Sequence, residues 1–177
     1  AAHSYTFAAN RVTTHWLSAS ALRPSALRGL GAPQNTFANE SFMDELAAVA
    51  GADPMAFRLR HLRDPRARAV VERAAALAGW QSRPSPRQGD ARAPLATGRG
   101  IAFVQYETAY AYVATVVEVE VDLRNGAARV PRVFVAHDCG LIVNPDGLRN
   151  QIEGATIQTI SPTPPTRSAR KRSSGPH

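Results

Sequence analysis

Lysine is all but missing from this chain. Of its 21 basic residues 20 are arginine, and the single Lys171 falls in a short C-terminal stretch. Cysteine is equally scarce. Cys139 stands alone, which excludes an internal disulfide and any Cys-rich zinc or iron–sulfur site. No apolar run approaches the roughly 20 residues of a membrane helix, so no membrane span is expected. The chain opens Ala1-Ala2-His3-Ser4-Tyr5, with no Met and no signal-peptide pattern, and reads as the middle of a longer protein.

The net charge of +7 overstates the basic character. Residues 161–177 hold Arg167, Arg170, Lys171 and Arg172 and no acid; without them 17 basic residues face 14 acidic ones, or +3. A nucleic-acid surface over the whole chain is not supported. With 177 residues the chain can bury a real core.

Residues 3–18 alternate loosely and predict an extended segment. Pro24, Gly29, Gly31 and Pro33 mark residues 23–35 as an ordered loop. Phe37 to Ala50 predicts a helix, with Phe37, Ser41, Phe42, Leu46, Val49 and Ala50 as its apolar stripe. Glu40, Asp44 and Glu45 fall off that stripe and read as a solvated face with no assigned role. Gly51 is a stop signal. Asp53-Pro54 and Asp64-Pro65 each read as an N-cap followed by proline in the first turn. In the first of these helices Met55, Leu59 and Leu62 point one way, and Arg58, Arg60 and Arg63 mostly elsewhere. The second carries Val70, Val71, Ala74 and Leu77 as far as Gly79. Trp16 and Trp80 read as packing residues.

Residues 82–97 are rich in Pro, Arg, Gly and Ala and predict a surface linker. Gly98–Tyr106 and Tyr110–Leu123 predict strands. Val117, Val119 and Val121 alternate with Glu118, Glu120 and Asp122, giving one wet face. Arg124-Asn125-Gly126 predicts a hairpin turn into Ala127–Ala136, where Pro131 hints at an edge or a bulge. Asn144-Pro145 starts a helix carrying Leu148, Ile152, Ala155, Ile157 and Ile160. The pattern then stops inside a helix signal. Residues 161–177 have no periodicity and read as disordered, out-of-frame sequence. The fold class is therefore α+β: a helical block (37–79), a hairpin-based antiparallel sheet (98–137) and a further helix.

Two segments carry the chemistry. In Arg28-Gly29-Leu30-Gly31, glycines let backbone N–H groups face a ligand, and Arg presents a planar fork of donors. Taken alone, such a string is more often a plain turn with a surface Arg. In Gln151-Ile152-Glu153-Gly154-Ala155, an amide can both donate and accept, beside small residues that permit close approach. Taken alone, it is more often a solvated helix residue. His137 and Cys139 make a poor metal pair, since zinc wants four ligands; Cys139 reads as a small buried hydrophobe, and no metal ligands are assigned.

The string Arg28-Gly29-Leu30-Gly31-Ala32-Pro33-Gln34, its continuation Phe37-Ala38-Asn39-Glu40-Ser41-Phe42-Met43-Asp44-Glu45-Leu46-Ala47, and the later Asp138–Pro145 and Gln151–Gly154 stretches together resemble the molybdenum hydroxylase large subunits. These form the xanthine dehydrogenase and aldehyde oxidase family, and the likeness is nearest to the bacterial nicotinate and isoquinoline oxidoreductase branch. It spans roughly residues 5–160.

The resemblance implies a molybdopterin-binding region over residues 1–160. Arg28, Gly29, Gly31 and Gln151 would contact the cofactor and Leu30 would line the substrate pocket. Xanthine-type members carry Phe at the Leu30 position, which puts a purine sandwich in doubt. The Asp138–Pro145 stretch is structural turn and cap chemistry. The implied cofactor is molybdopterin, as the cytosine dinucleotide, with molybdenum. The implied partners are a small subunit with [2Fe–2S] clusters, in some members a cytochrome c, and a small-molecule substrate. The implied reaction hydroxylates an N-heteroaromatic or aldehyde carbon with oxygen from water, combining metal and general-base chemistry. The family's base is a Glu in a Gly-Glu segment, and its earlier cofactor loop is G-Q-G; neither pair occurs here, so no catalytic residue is assigned.

The expectation is thus a fragment of a hydroxylase subunit, inactive alone, with an uncovered sheet edge and poor solubility. The alternative is a non-catalytic remnant that acts as an interaction module. A third reading makes the Arg/Lys tail a nucleic-acid binder. The compartment stays open between bacterial cytoplasm and periplasm.

Overall fold

The computed structural model describes residues 4–13, 15, 16, 18, 19, 21, 25, 28–86, 93–107 and 110–161. Three helices come first: α1 (Ala32–Val49), α2 (Pro54–His61) and α3 (Pro65–Leu77). Three strands follow: β1 (Leu95–Tyr106), β2 (Ala111–Asp122) and β3 (Ala128–Asp138). Helix α4 (Pro145–Ile160) closes the described part. The strands form an antiparallel sheet in the order β1-β2-β3. This is the expected α+β arrangement. Beyond Ser161, the expected disordered tail lies outside the described residues.

The cap signals hold at each Xaa-Pro start. Asp53 accepts from the backbone N–H of Ala56 at 2.8 Å, Asp64 from that of Arg66 at 2.8 Å, and Asn144 from that of Gly147 at 2.9 Å. Each satisfies an N–H that the first helical turn leaves without a partner. Asp53 does more. It is buried, and its other oxygen accepts from the Trp80 indole at 2.9 Å and the Arg83 N–H at 3.0 Å. One carboxylate thus ties the start of α2 to the chain leaving α3. Asp53→Ala is expected to destabilise by about 2 kcal/mol, the upper end for an N-cap, since two further donors lose their partner. Urea unfolding checks this.

The core lies between the helices and one face of the sheet. Val70, Val71, Ala74 and Ala75 of α3 pack there with Ile101, Phe103, Tyr112, Ala114, Val116 and Ala136 from the three strands. Registration of Tyr112 with Asp138, Ala114 with Ala136 and Val116 with Phe134 puts these residues on one face. On the other face stand Val113, Thr115, Val117, Val133 and Val135. All are only half-buried, and Leu148 and Ile152 of α4 share a groove with Val133 and Val135. Leu77 is largely exposed at the end of α3.

The expected wet and dry faces of β2 do not separate: residues 117–122 are all half-buried, and Glu118 and Glu120 continue the row of Tyr112, Ala114 and Val116 on the helix side of the sheet. Glu118 and Glu120 pair across the strands with Arg132 and Arg129, both at 2.6 Å. The expected irregularity near Pro131 is a register shift opposite Glu118–Glu120, on an edge strand, where a missing N–H costs least. The hairpin turn closes with Gly126 at φ 74°.

Several boundaries and faces differ from expectation. Helix α1 begins five residues early, because Pro33 fits a first helical turn. Strand β1 begins at Leu95 rather than Gly98, so the last residues of the expected linker pair with β2. The described part of residues 4–18 forms no strand. It lies against α2, where Thr6 N–H donates to the His61 carbonyl at 2.8 Å. The largest correction concerns α1. Phe37, Phe42 and Val49 are 77%, 58% and 89% exposed, whereas Glu40, Met43 and Ala47 are buried. In α2 Arg58 points inward and is fully buried. The inward face is set by an ion pair that apolar periodicity does not register. Among the described residues, no helix is long and apolar enough to cross a membrane.

Candidate functional site

The turn ahead of α1 demands glycine at Gly29. Gly29 has φ +86°, and a Cβ there would stand 3.1 Å from the Pro33 ring. Only glycine fits that backbone without strain. Leu30 also has positive φ, at 51°, an uncommon state for a branched side chain. The Ala32 N–H closes the turn on the Gly29 carbonyl at 2.9 Å.

Beside this turn lies a cleft of about 410 Å³, lined by Gly29, Leu30 and Gly31 and by polar side chains of α1 and β1. Asn35, Thr36 and Asn39 come from α1, and Gln105 and Tyr106 from the end of β1. Amide and hydroxyl groups around a glycine turn match the polar edge of a heterocycle or a phosphate. Glu107 lines the cleft as well, and Tyr5 and Glu40 form part of its wall.

The other two expected site residues do not line the cleft. They meet each other. The Arg28 guanidinium donates from one nitrogen to the Gln151 side-chain carbonyl at 3.1 Å, and from the other to that of Gln158 at 3.1 Å. Gln151 and Gln158 are two turns apart on α4 and share a face. The tertiary fold therefore joins two segments 123 residues apart in the chain. Arg28 carries five N–H donors, more than two amide oxygens can use.

A third polar group sits at the same end of the sheet. Arg66 grips Asp138 with two hydrogen bonds of 2.8 Å and lies over the Tyr112 ring at 4.3 Å. The Tyr112 hydroxyl donates to Asp64 at 2.8 Å, and Gly140 N–H donates to Asp138 at 3.0 Å. Asp138 is thus turn and positioning chemistry, as its motif suggests. The Arg66 hydrogen bonds, the Gly140 N–H and the Arg66 charge hold its carboxyl well below the usual range. A depressed carboxylate contributes stability above its unfolded pKa of about 4 and loses it as pH falls through the folded value. Wild-type stability is therefore expected to fall below about pH 4, and Asp138→Asn to flatten that fall. Urea midpoints measured from pH 5 to pH 2 check it. Because the pair is partly solvent-exposed, the effect is modest.

His137 faces away from this cluster. Burial lowers its pKa, and its Nδ1 is buried without a hydrogen-bond partner. Cys139 is half-buried and free. Among the described residues no cluster of His, Cys, Asp or Glu could hold a metal.

Sequence reasoning missed Glu40 in the cleft wall and its buried partner Arg58 behind it. No local signal marks them, since each faces inward only once the helices pack and the pair forms. Apolar periodicity alone excludes both.

Two family models, each described as a molybdopterin cofactor-binding domain, match residues 38–163 and 1–62. A nicotinate dehydrogenase subunit of Pseudomonas putida is 44% identical over 146 residues, covering 79% of this chain and 12% of that protein. The beta subunit of isoquinoline 1-oxidoreductase of Brevundimonas diminuta is 38% identical over 136 residues, covering 76% of this chain and 16% of the relative. A membrane-bound aldehyde dehydrogenase (pyrroloquinoline-quinone) of Gluconacetobacter polyoxogenes is 28% identical over 160 residues, covering 82% and 20%. The chain thus spans less than a fifth of the length of the first two of these relatives.

Proposed function

This chain belongs to the molybdopterin cofactor-binding family, and on that premise we propose that its Gly29–Gly31 turn and α4 form part of the cofactor wall of a molybdenum hydroxylase large subunit. The substrate class is an N-heteroaromatic or aldehyde compound, hydroxylated with oxygen from water. The contact between Arg28 and Gln151 carries this reading, since it brings the two motif segments to one place.

The residues present fit such a group. Arg28 and the Gln151 amide offer hydrogen bonds to the pterin, and the glycine turn offers backbone N–H groups to a phosphate. Leu30 stands at the cleft, where a substrate ring would meet an apolar side chain. When bound, the molybdenum cofactor supplies the redox chemistry. No base is assigned within residues 1–177. The cytosine dinucleotide form, a small subunit with [2Fe–2S] clusters and an onward cytochrome c complete the proposal. By itself this stretch is inactive.

The test is cofactor retention. The 177-residue chain is produced in a bacterium that makes molybdopterin cytosine dinucleotide, and its pterin is released, oxidised and counted by fluorescence. Wild type is expected to retain pterin. Arg28→Ala and Gln151→Ala are expected to retain about tenfold less, matching the loss of a hydrogen bond to a charged group. Folded wild type without pterin overturns the proposal for this chain. That outcome favours the second reading, a non-catalytic interaction module. The observation behind it is the apolar groove of about 590 Å³ between β3 and α4, lined by Val133, Val135, Ile142, Leu148 and Ile152.

A further inference from the structure

Behind the cleft lies a buried charge that the proposed cofactor contacts do not use. Glu40 is only 6% exposed. Its Oε1 accepts from the Tyr5 hydroxyl at 2.8 Å. Its Oε2 accepts from Arg58 Nε at 2.8 Å and from the backbone N–H of Phe103 at 2.9 Å. One carboxylate therefore joins four pieces of chain: the N-terminal segment, α1, α2 and β1.

Arg58 is held as firmly. It also donates to Asp44 at 2.7 Å, to the Pro54 carbonyl at 3.1 Å and to the Glu40 carbonyl at 3.1 Å. Burial alone would lower its pKa, but Glu40, Tyr5 and Asp44 raise it, so it stays charged. Burial and the adjacent Glu40 push the Tyr5 phenol up, so it stays a donor. A buried ion pair is a costly way to hold a helix against a sheet, which Met43 and Ala47 already do with apolar contacts.

Position supplies the reason. Within the turn before Glu40 on α1 are Thr36 and Asn39, which line one wall of the cleft. Immediately after Phe103 on β1 are Val104 and Gln105, which line the opposite wall. The bond from Phe103 N–H to Glu40 runs between the two walls at the back of the cleft. Apolar contacts are non-directional and let a helix slide; a carboxylate with three donors does not.

We propose that Glu40 is a positioning residue that sets the spacing of the cleft walls and, through it, the grip on the bound cofactor. Both its oxygens are taken up by Tyr5, Arg58 and Phe103, so it acts through these partners, although it forms part of the cleft wall. The second half of this inference rests on the reading under Proposed function.

Three variants test it in the full chain. Glu40→Asp keeps the charge but shortens the arm by one methylene. Glu40→Gln keeps the length and removes the charge. Tyr5→Phe removes one hydroxyl and is expected to fold. Amide hydrogen exchange at Gly29–Gly31 and Gln105 is read alongside Tm and pterin per folded chain. Glu40→Asp is expected to behave as badly as Glu40→Gln, with exchange at both walls faster by about tenfold and pterin retention reduced severalfold. Tyr5→Phe shows the same pattern more weakly. A role in charge balance alone predicts rescue by Asp, and that rescue overturns the proposal. Lower Tm with wild-type exchange at Gly29–Gly31 and Gln105 overturns it equally. If even wild type retains no pterin, the cofactor role fails, while the exchange pattern still decides whether Glu40 sets the spacing.

Discussion

Arg58→Ala is expected to be the most damaging single substitution in this chain, costing about 3–5 kcal/mol. The guanidinium is fully buried, and its removal leaves the Glu40 carboxylate without its charged partner inside the protein. Asp44 loses a partner too, but stands half in solvent and recovers hydration. The loss corresponds to a fall in Tm on the order of ten degrees for a chain of this size. Urea denaturation gives the free energy directly. A double variant, Arg58→Met with Glu40→Leu, separates the cost of a stranded charge from the worth of the pair. Replacing both charges with apolar groups removes the stranded charge but leaves the Tyr5 hydroxyl and the Phe103 N–H without their acceptor, so only part of the lost stability is expected to return. A double variant as unstable as Arg58→Ala would show that packing and the two orphaned donors, not the stranded carboxylate, dominate.

The second large effect is at Met43. Its side chain is buried in the core between α1 and its neighbours, and Met43→Ala is expected to cost about 2–5 kcal/mol. Phe37→Ala, nearly two turns earlier on the same helix, is expected to change stability by less than about 0.5 kcal/mol, since Phe37 is mostly exposed. The comparison is sharp because periodicity ranks the two the other way, with Phe37 in the stripe and Met43 outside it. Parallel chemical denaturation of both variants decides the matter. If Phe37→Ala were the worse of the two, the inward face of α1 would be misassigned, and with it the placement of Glu40.

Much of the fold was legible because it depends on neighbours in sequence. Asp53, Asp64 and Asn144 announce helix starts because a cap bonds to an N–H two or three residues on. Asn125-Gly126 announces a hairpin for the same reason, and Val117 to Asp122 shows its strand period directly. The candidate site was legible only in pieces. Gly29, Leu30 and Gly31 read as a ligand turn and do line a cleft. Arg28 and Gln151 looked like separate candidates until the fold placed them in contact.

The faces of α1 and α2 show where sequence reading stops. A charged residue counts as outward in any hydrophobic pattern, because an unpaired charge is too costly to bury. The exception needs partners, and those of Glu40 come from residues 5, 58 and 103. No local window contains them.

By itself, then, the sequence determined the α+β class, the helix starts, the hairpin and the membership of a cofactor-binding family, all of which rest on short-range bonds or on recognisable strings. The tertiary structure alone decided which face of α1 is buried, that Arg58 is a core residue, and that Arg28 meets Gln151. Those outcomes depend on charge pairing and packing between segments up to 123 residues apart, and such contacts leave no period in the chain.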